Sequence, residues 1–300
     1  APARVMLLLL AALARAETVA LPSATAWSPE GTAWRPADGA FAAAGNGDDT
    51  TFWRTPPLPL VPGRLYALAF RARGPGGARG TPVSGPVFRN RDLGALGTAW
   101  TEFRSVFVAP RAVGPANSWL RFGQWHLSGT AVFDGVALAS AVPVYAERDG
   151  VELGAGERLS GTVYAFEAPL GGESLNHARP LASHACGFNS SRWVFGAGAD
   201  VVYRHEVAGR RQTAAVVMVS VTYREGGTLL VEACTSGTAW TEIGRLAAVG
   251  RAACVIPRSW LPAAAVRVRL RALDAKALGT RSDPGAFQVG AYAYHAAILG

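Results

Sequence analysis

The sequence predicts an all-β protein of two tandem β-sandwich domains, and three observations predict it. Its 300 residues exceed the roughly 100–200 that one compact domain needs. Charged residues make up only 17%, while 35 glycines and 19 prolines punctuate the chain, a balance that suits short strands and tight turns. The hexapeptide GTAWTE occurs twice, at residues 97–102 and 237–242, and so points to two copies of one plan. No ten-residue stretch sustains a 3.6-residue period, so the parallel βαβ plan of nucleotide-binding enzymes is not expected.

Residues 1–16 have the form of a signal peptide. Arg4 precedes the apolar run 5–14, and Ala14-Arg15-Ala16 places small residues where a signal peptidase reads. That run is too short to span a bilayer, which takes about 20 residues. The mature chain is therefore expected to lack a membrane span and to be secreted, periplasmic or held at the cell surface, with an uncleaved lipid-facing anchor as the alternative reading of the segment. The chain starts on Ala1 and stops at Gly300, which leaves open a longer protein with a further catalytic domain.

The first domain is expected over residues 17–145. Residues 17–61 suggest short strands joined by turns such as the one at Gly45-Asn46-Gly47. A strand over 65–73 alternates Leu65, Ala67 and Ala69 against Tyr66, Leu68 and Phe70. Further strands are expected at 86–90, 100–108, 119–127 and 131–139, each bounded by Gly, Pro, Asn or Ser.

The second domain, 146–300, can be laid on the first. Residues 214–223 align with 65–73, the two hexapeptides superimpose, and Ser259-Trp260-Leu261 aligns with Ser118-Trp119-Leu120. The strand 266–273 alternates apolar residues with Arg267, Arg269 and Arg271, as a half-exposed strand should. Residues 285–293 take the place of 129–138. An inserted segment, 153–204, is left over, and its Phe166, Phe188, Trp193 and Phe195 imply that it packs.

The net charge of +8 comes almost wholly from arginine, since Lys276 is the single lysine. The arginines are scattered, with clusters no denser than Arg210-Arg211 or Arg267, Arg269 and Arg271, so nucleic acid is not an expected partner. Export permits disulfides. Among Cys186, Cys234 and Cys254, a cross-strand Cys234–Cys254 bridge is the first expectation, and free buried thiols are the alternative.

The runs YALAFRAR from Tyr66, TAWTEF from Thr98, FVAP from Phe107, LRFGQW from Leu120 and GTAVFDGVAL from Gly129 resemble the strand order of jelly-roll carbohydrate-binding modules of the cellulose- and xylan-binding superfamily. The second half looks like a more distant galactose-binding-like, or discoidin-like, domain. The resemblance implies a polysaccharide or glycan as partner and no organic cofactor. It also implies one structural calcium at Asp134, the acidic residue of the final strand, with Asp48 and Asp49 as candidate helpers. Val289-Gly290 replaces that acid in the second copy, where no ion is expected. Calcium takes six to eight oxygens, and a backbone-satisfying turn aspartate is the competing account of Asp134.

Sugar recognition combines a flat ring with a few polar groups that fix hydroxyls. Trp119, Arg121 and Trp125 share one parity of a single strand and could present that combination on an outer face, with Gln124, Asn90 and Arg89 adding polar contacts. Core packing competes with this role for each tryptophan, and for Trp100 and Trp240 it is the better account. His177, His184, Cys186 and His205 supply one close pair, His184 with Cys186, which is weak for zinc. The chain has no Gly-x-Ser-x-Gly elbow, His-Glu-x-x-His helix or phosphate-cradling loop. The leading reading is an exported, non-catalytic carbohydrate-binding protein. Alternatives are a structural or adhesive surface module, and an enzyme whose site lies within 153–204.

Overall fold

The computed structural model describes residues 17–36, 39–74, 79–237, 239–279 and 284–299, so the expected signal peptide lies outside the described residues. The chain divides into two compact units, Ala1–Pro143 and Val144–Gly300. Among the described residues, no helix is long and apolar enough to cross a membrane.

The first unit runs through β1 (Ser28–Glu30), β2 (Ala33–Trp34), β3 (Phe41–Asn46), β4 (Thr50–Arg54), β5 (Leu65–Arg73), β6 (Thr81–Pro86), β7 (Arg89–Asp92), β8 (Thr101–Val108), β9 (Leu120–Trp125) and β10 (Ser128–Ser140). One antiparallel sheet has the order β2-β3-β10-β5-β8. The other is β1-β4-β9-β6-β7. From β3 onward the chain changes sheet at every step except the β6–β7 hairpin, which is the path of a jelly roll. Leu68, Phe70, Phe107, Leu120, Phe122 and Phe133 fill the space between the sheets, with Phe70 edge-on to Phe122 at 5.1 Å. The strand expected at 86–90 is instead a turn at residues 87–88. Gly85, at φ 119°, breaks the alternation there, and Pro86 has no N–H to continue the ladder.

The second unit runs through β11 (Ala146–Arg148), β12 (Val151–Leu153), β13 (Glu157–Ser160), β14 (Val163–Glu167), β15 (Leu181–His184), β16 (Gly187–Asn189), β17 (Arg192–Phe195), β18 (Asp200–Glu206), β19 (Arg211–Arg224), β20 (Thr228–Cys234), β21 (Thr241–Leu246), β22 (Gly250–Val255), β23 (Ala265–Leu273) and β24 (Phe287–Leu299). One sheet places β19 between β22 and β24. The far side of β24 is shared by β17 and β14. The facing sheet has the order β15-β18-β23-β20-β21. Every second residue of β23 is buried: Val266, Val268, Leu270 and Ala272.

The six strands β5 to β10 and the six strands β19 to β24 follow one plan. In each run the last strand pairs with the first and the first with the fourth. The fifth pairs with the second and the second with the third. The expected alignments of 65–73, Ser118-Trp119-Leu120 and 129–138 with their counterparts agree with this plan.

The hexapeptides do not. Residues 97–102 lead into β8, the fourth strand of its run, whereas 237–242 lead into β21, the third strand of its own. They therefore sit in different sheets of their sandwiches. The expected superposition fails because six residues dictate only a turn and the first residues of a strand, and the strand's partner is chosen by the whole sandwich.

Residues 153–204 are constituent strands rather than an appendage. They supply β13 to β17 and most of β18. β18 pairs with β23 as β4 pairs with β9, and Phe166, Phe188, Trp193 and Phe195 belong to the one core of the unit.

Candidate functional site: the outer face of the β9 sheet

The site is built around β9, the middle strand of its five. Leu120 and Phe122 enter the core, so alternation turns Arg121, Gly123 and Trp125 to the opposite, outer face, with Trp119 just before them. Register sets Arg54 and Gly85 beside Arg121, and Phe52 and Val83 beside Gly123. Thr50 and Thr81 flank Trp125 in the same way.

Trp119 is buried and its ring stacks on Phe52 at 6.2 Å. Its indole Nε1 donates to the Ala116 carbonyl at 3.0 Å, and the Arg54 guanidinium lies 4.7 Å above the ring. Trp125 is 44% exposed, the one open ring of the strand. His126, at φ 49°, stacks against it at 4.4 Å.

Between the two tryptophans lies a polar relay. Arg121 donates through Nη2 to Asn90 Oδ1 at 3.0 Å, and Asn90 Nδ2 donates to Asp92 Oδ1 at 2.6 Å. Arg121 is only 6% exposed, and its Nε has no protein partner. Burial brings its pKa down to about 10, against the pull of the Asp92 carboxylate. Asp92, Phe52 and Arg54 are missing from the expected set, although the alternation of Arg89-Asn90-Arg91-Asp92 puts Asp92 on the same side as Asn90.

Gln124 and Arg89 point inward. Gln124 is fully buried and donates to Asp49 Oδ1 at 3.0 Å and Thr51 Oγ1 at 3.2 Å. Its Oε1 accepts the Leu127 N–H at 2.7 Å, which ties down the tight link from β9 to β10. Arg89 is also fully buried and donates to Ser105 Oγ at 2.8 Å on the facing sheet. Neither side chain lies on the outer face.

Asp134 does not fit a calcium site. Arg71 Nε donates to its Oδ2 at 2.9 Å, and Arg71 Nη2 bonds to the same oxygen. Arg71 holds the carboxyl below its ordinary pKa despite partial desolvation, helped by the Gly135 N–H. Asp48 pairs with Arg79 at 3.6 Å, and Asp49 accepts the Asn46 N–H at 3.0 Å. Both aspartates sit by Asn46, which pairs with Ser128 at the start of β10. Six residues of strand at about 3.4 Å each separate Ser128 from Asp134. Among the described residues, no three His, Cys, Asp or Glu side chains gather as metal ligands.

Of the second unit's histidines, His184 and His205 are core residues, whereas His177 and His295 are half-buried. His184 Nδ1 contacts the Cys186 carbonyl at 3.2 Å, not its thiol, and the ring packs 5.0 Å from Trp193. His205 bonds through Nε2 to the Tyr292 hydroxyl at 2.7 Å and stacks on Tyr294 at 3.8 Å. Trp193 Nε1 in turn donates to the Tyr203 hydroxyl at 3.0 Å. His184, Cys186 and His205 thus meet within one buried polar and aromatic network rather than in a cleft. All three cysteines are buried free thiols. The expected Cys234–Cys254 bridge is absent: Cys234 faces Arg267 on the outer side of its sheet, whereas Cys254 of β22 points into the core between the sheets.

Fold and site together define a tandem jelly-roll β-sandwich whose first unit carries an outer face of aromatic and polar groups. No family profile matches the chain, and no curated protein matches it. Among solved structures it is similar to the N-terminal CBM22-1-CBM22-2 tandem domain from Paenibacillus barcinonensis Xyn10C, with 9% identity over 94% of this chain and 96% of that chain at a TM-score of 0.32. It is also similar to a chain of the Sulfolobus turreted icosahedral virus, with 10% identity over 91% and 60% at a TM-score of 0.29. Allantoicase from Saccharomyces cerevisiae follows with 12% identity over 93% and 90% at a TM-score of 0.24.

Proposed function

We propose that this protein is an exported, non-catalytic carbohydrate-binding protein that holds a polysaccharide or glycan chain on the outer face of the β9 sheet. The observation that carries the reading is Trp125. A ring 44% exposed, at the end of the central strand of its sheet, offers a flat apolar platform to the C–H face of a pyranose. The Arg121–Asn90–Asp92 relay lies along the same face, and its exposed end, Asp92, can accept from a sugar hydroxyl. Thr50 and Thr81 beside Trp125 add hydroxyls at the platform's margins. The arrangement binds and orients; it holds no nucleophile with a base beside it.

The test is retention of the full chain on insoluble polysaccharides and on a glycan array, followed by affinity measurements on the ligands retained. Trp125→Ala should weaken binding roughly tenfold, equivalent to losing about 1.4 kcal/mol of stacking. Trp34→Ala removes an equally exposed ring from a strand of the facing sheet and should change nothing. Failure to bind any glycan, or a Trp125→Ala variant that binds as the parent does, would rule the reading out.

A further inference from the structure

One sheet of the second unit ends in β22, which among the described residues pairs with β19 alone. The Ile256 N–H donates to the Ala215 carbonyl at 3.0 Å. Alternation therefore turns the backbone groups of Gly250, Ala252 and Cys254 towards β19 and those of Arg251, Ala253 and Val255 away from it. Among the described residues, these three make no backbone hydrogen bond on that open side. Their side chains lie on the outer face and are exposed, Val255 by 66%. Such a row of unpaired N–H and C=O groups is a template for one more strand.

The corresponding edge of the first unit is defended. β8 is the fourth strand of its run, as β22 is of its own, and it too has a partner on one side only, β5. Glu102 and Arg104 set exposed charges along β8, and Arg91 Nη1 donates to the Arg104 carbonyl at 2.9 Å, which occupies an acceptor of the edge. Charges and covering side chains are how natural sheets keep other chains from an edge. On β22 the single charge is Arg251, and Ala253 and Val255 are apolar. Pro257, the next residue of the same parity, has no N–H and bounds the open stretch.

We propose that β22 pairs with β22 of a second copy of this chain, antiparallel across a twofold axis at Ala253. A strand placed beside itself across an axis normal to the sheet is antiparallel, and the contact is closed and self-complementary. Centred on Ala253, it sets Ala253 opposite its own counterpart and Arg251 opposite the partner's Val255. All three outward residues then form hydrogen-bonded pairs, and the stem of Arg251 covers an exposed valine. Centring on Arg251 would oppose two guanidinium groups, and centring on Val255 would set Ala253 against a proline that cannot donate. The sequence of β22 thus fits a second β22 in one register. A contact of three paired residues buries less than the roughly 1,200 Å² of a standard interface, so the dimer is reversible and depends on concentration.

Sedimentation velocity of the full chain, from micromolar to millimolar concentration, reads the association, and hydrogen exchange at both ends of that range locates it. The mean mass should rise with concentration, and the amides of Arg251, Ala253 and Val255 should gain protection as it does. Ala253→Pro removes an outward N–H from each copy without touching a bond to β19, and Ala253→Glu sets two carboxylates opposite each other on the axis. Each should weaken association at least about tenfold. Ala137→Glu, at an exposed position of the first unit, should leave it unchanged. If Ala253→Pro does not fold, Ala253→Glu and the exchange pattern decide. A chain monomeric throughout, which would leave the edge to a strand of another protein, overturns the proposal. So does an association that the folded Ala253 variants leave intact, or one that leaves these three amides unprotected.

Discussion

Glu157 and Arg179 give the most demanding test of how the second unit is held together. The Glu157 carboxylate accepts four bonds: from Tyr164 Oη at 2.6 Å, the Gly154 N–H at 2.7 Å, Arg179 Nε at 2.6 Å and Arg179 Nη2 at 2.5 Å. Its side chain has no exposed surface, and that of Arg179 only 21%. Replacing Glu157 with alanine leaves a mostly buried guanidinium without its counter-charge and orphans two further donors, a loss of about 3–5 kcal/mol. With a urea dependence near 2 kcal/mol per molar, the midpoint of the second unit should fall by roughly 1.5–2.5 M. Arg179→Met should cost about as much, since it strands the carboxylate. The double variant Glu157→Leu with Arg179→Met removes both charges and should lose far less than the sum, because a buried pair gains little over well-packed apolar groups. Urea titrations followed by circular dichroism and tryptophan fluorescence provide the cycle. Single variants within about 1 kcal/mol of the parent, or a double variant showing the full sum, would refute the reasoning.

Three further outcomes follow from the same structure. Burial lowers the pKa of His177 to about 4, and burial followed by Arg179 lowers that of His205 well below its ordinary value. The unfolded chain therefore takes up these protons from about pH 6.5 downward while the native chain does not, so stability is full above pH 6.5 and falls below it. Each histidine contributes up to about 1.4 kcal/mol per pH unit, and unfolding midpoints equal at pH 7.5 and pH 5 would contradict this. The three buried thiols should resist a thiol reagent in the native chain and all react in denaturant, with burial also raising the Cys254 pKa; a mass that changes on reduction would expose a bridge instead. Trp100→Ala and Trp240→Ala should each cost only about 1–2 kcal/mol, the worth of two partly exposed cation–π contacts, and a loss above about 4 kcal/mol by urea titration would mark a core tryptophan.

Much of the fold was legible because period-two alternation survives in strands half in water. Residues 65–73 and 266–273 announce β5 and β23 for this reason, and the face shared by Arg121 and Trp125 follows from parity alone. What escaped was long-range. Nothing local says that β17 and β14 share one side of β24, so residues 153–204 look like an insertion when counted against a shorter copy. Gln124 illustrates the second difficulty. Its polarity suggests a surface contact, but its parity is that of Leu120 and Phe122, and the Leu127 N–H, Asp49 and Thr51 that satisfy it come from a turn and a neighbouring strand. Arg89 shows the opposite effect, since a fully buried arginine is too costly to expect from sequence.

The hexapeptide repeats a local structure in two settings. In both places its tryptophan lies on an Arg-x-Arg pair: Trp100 at 4.7 and 4.5 Å from Arg71 and Arg73, Trp240 at 5.0 and 4.6 Å from Arg267 and Arg269. The first pair belongs to the strand next to β8, the second to a strand separated from β21 by β20. The correspondence between the units therefore lies in the pairing of the six-strand runs, and these runs identify which faces correspond. The counterpart of the β9 face is the outer face of β23, where Arg269 and Arg271 close on Glu232 at 2.7 and 2.9 Å and Trp240 covers the neighbouring arginine. There the charges are answered within the sheet and the ring is spent on its own arginines. On β9 the ring of Trp125 stays open, and that difference between the two faces is what the proposed glycan-binding role of the first unit rests on.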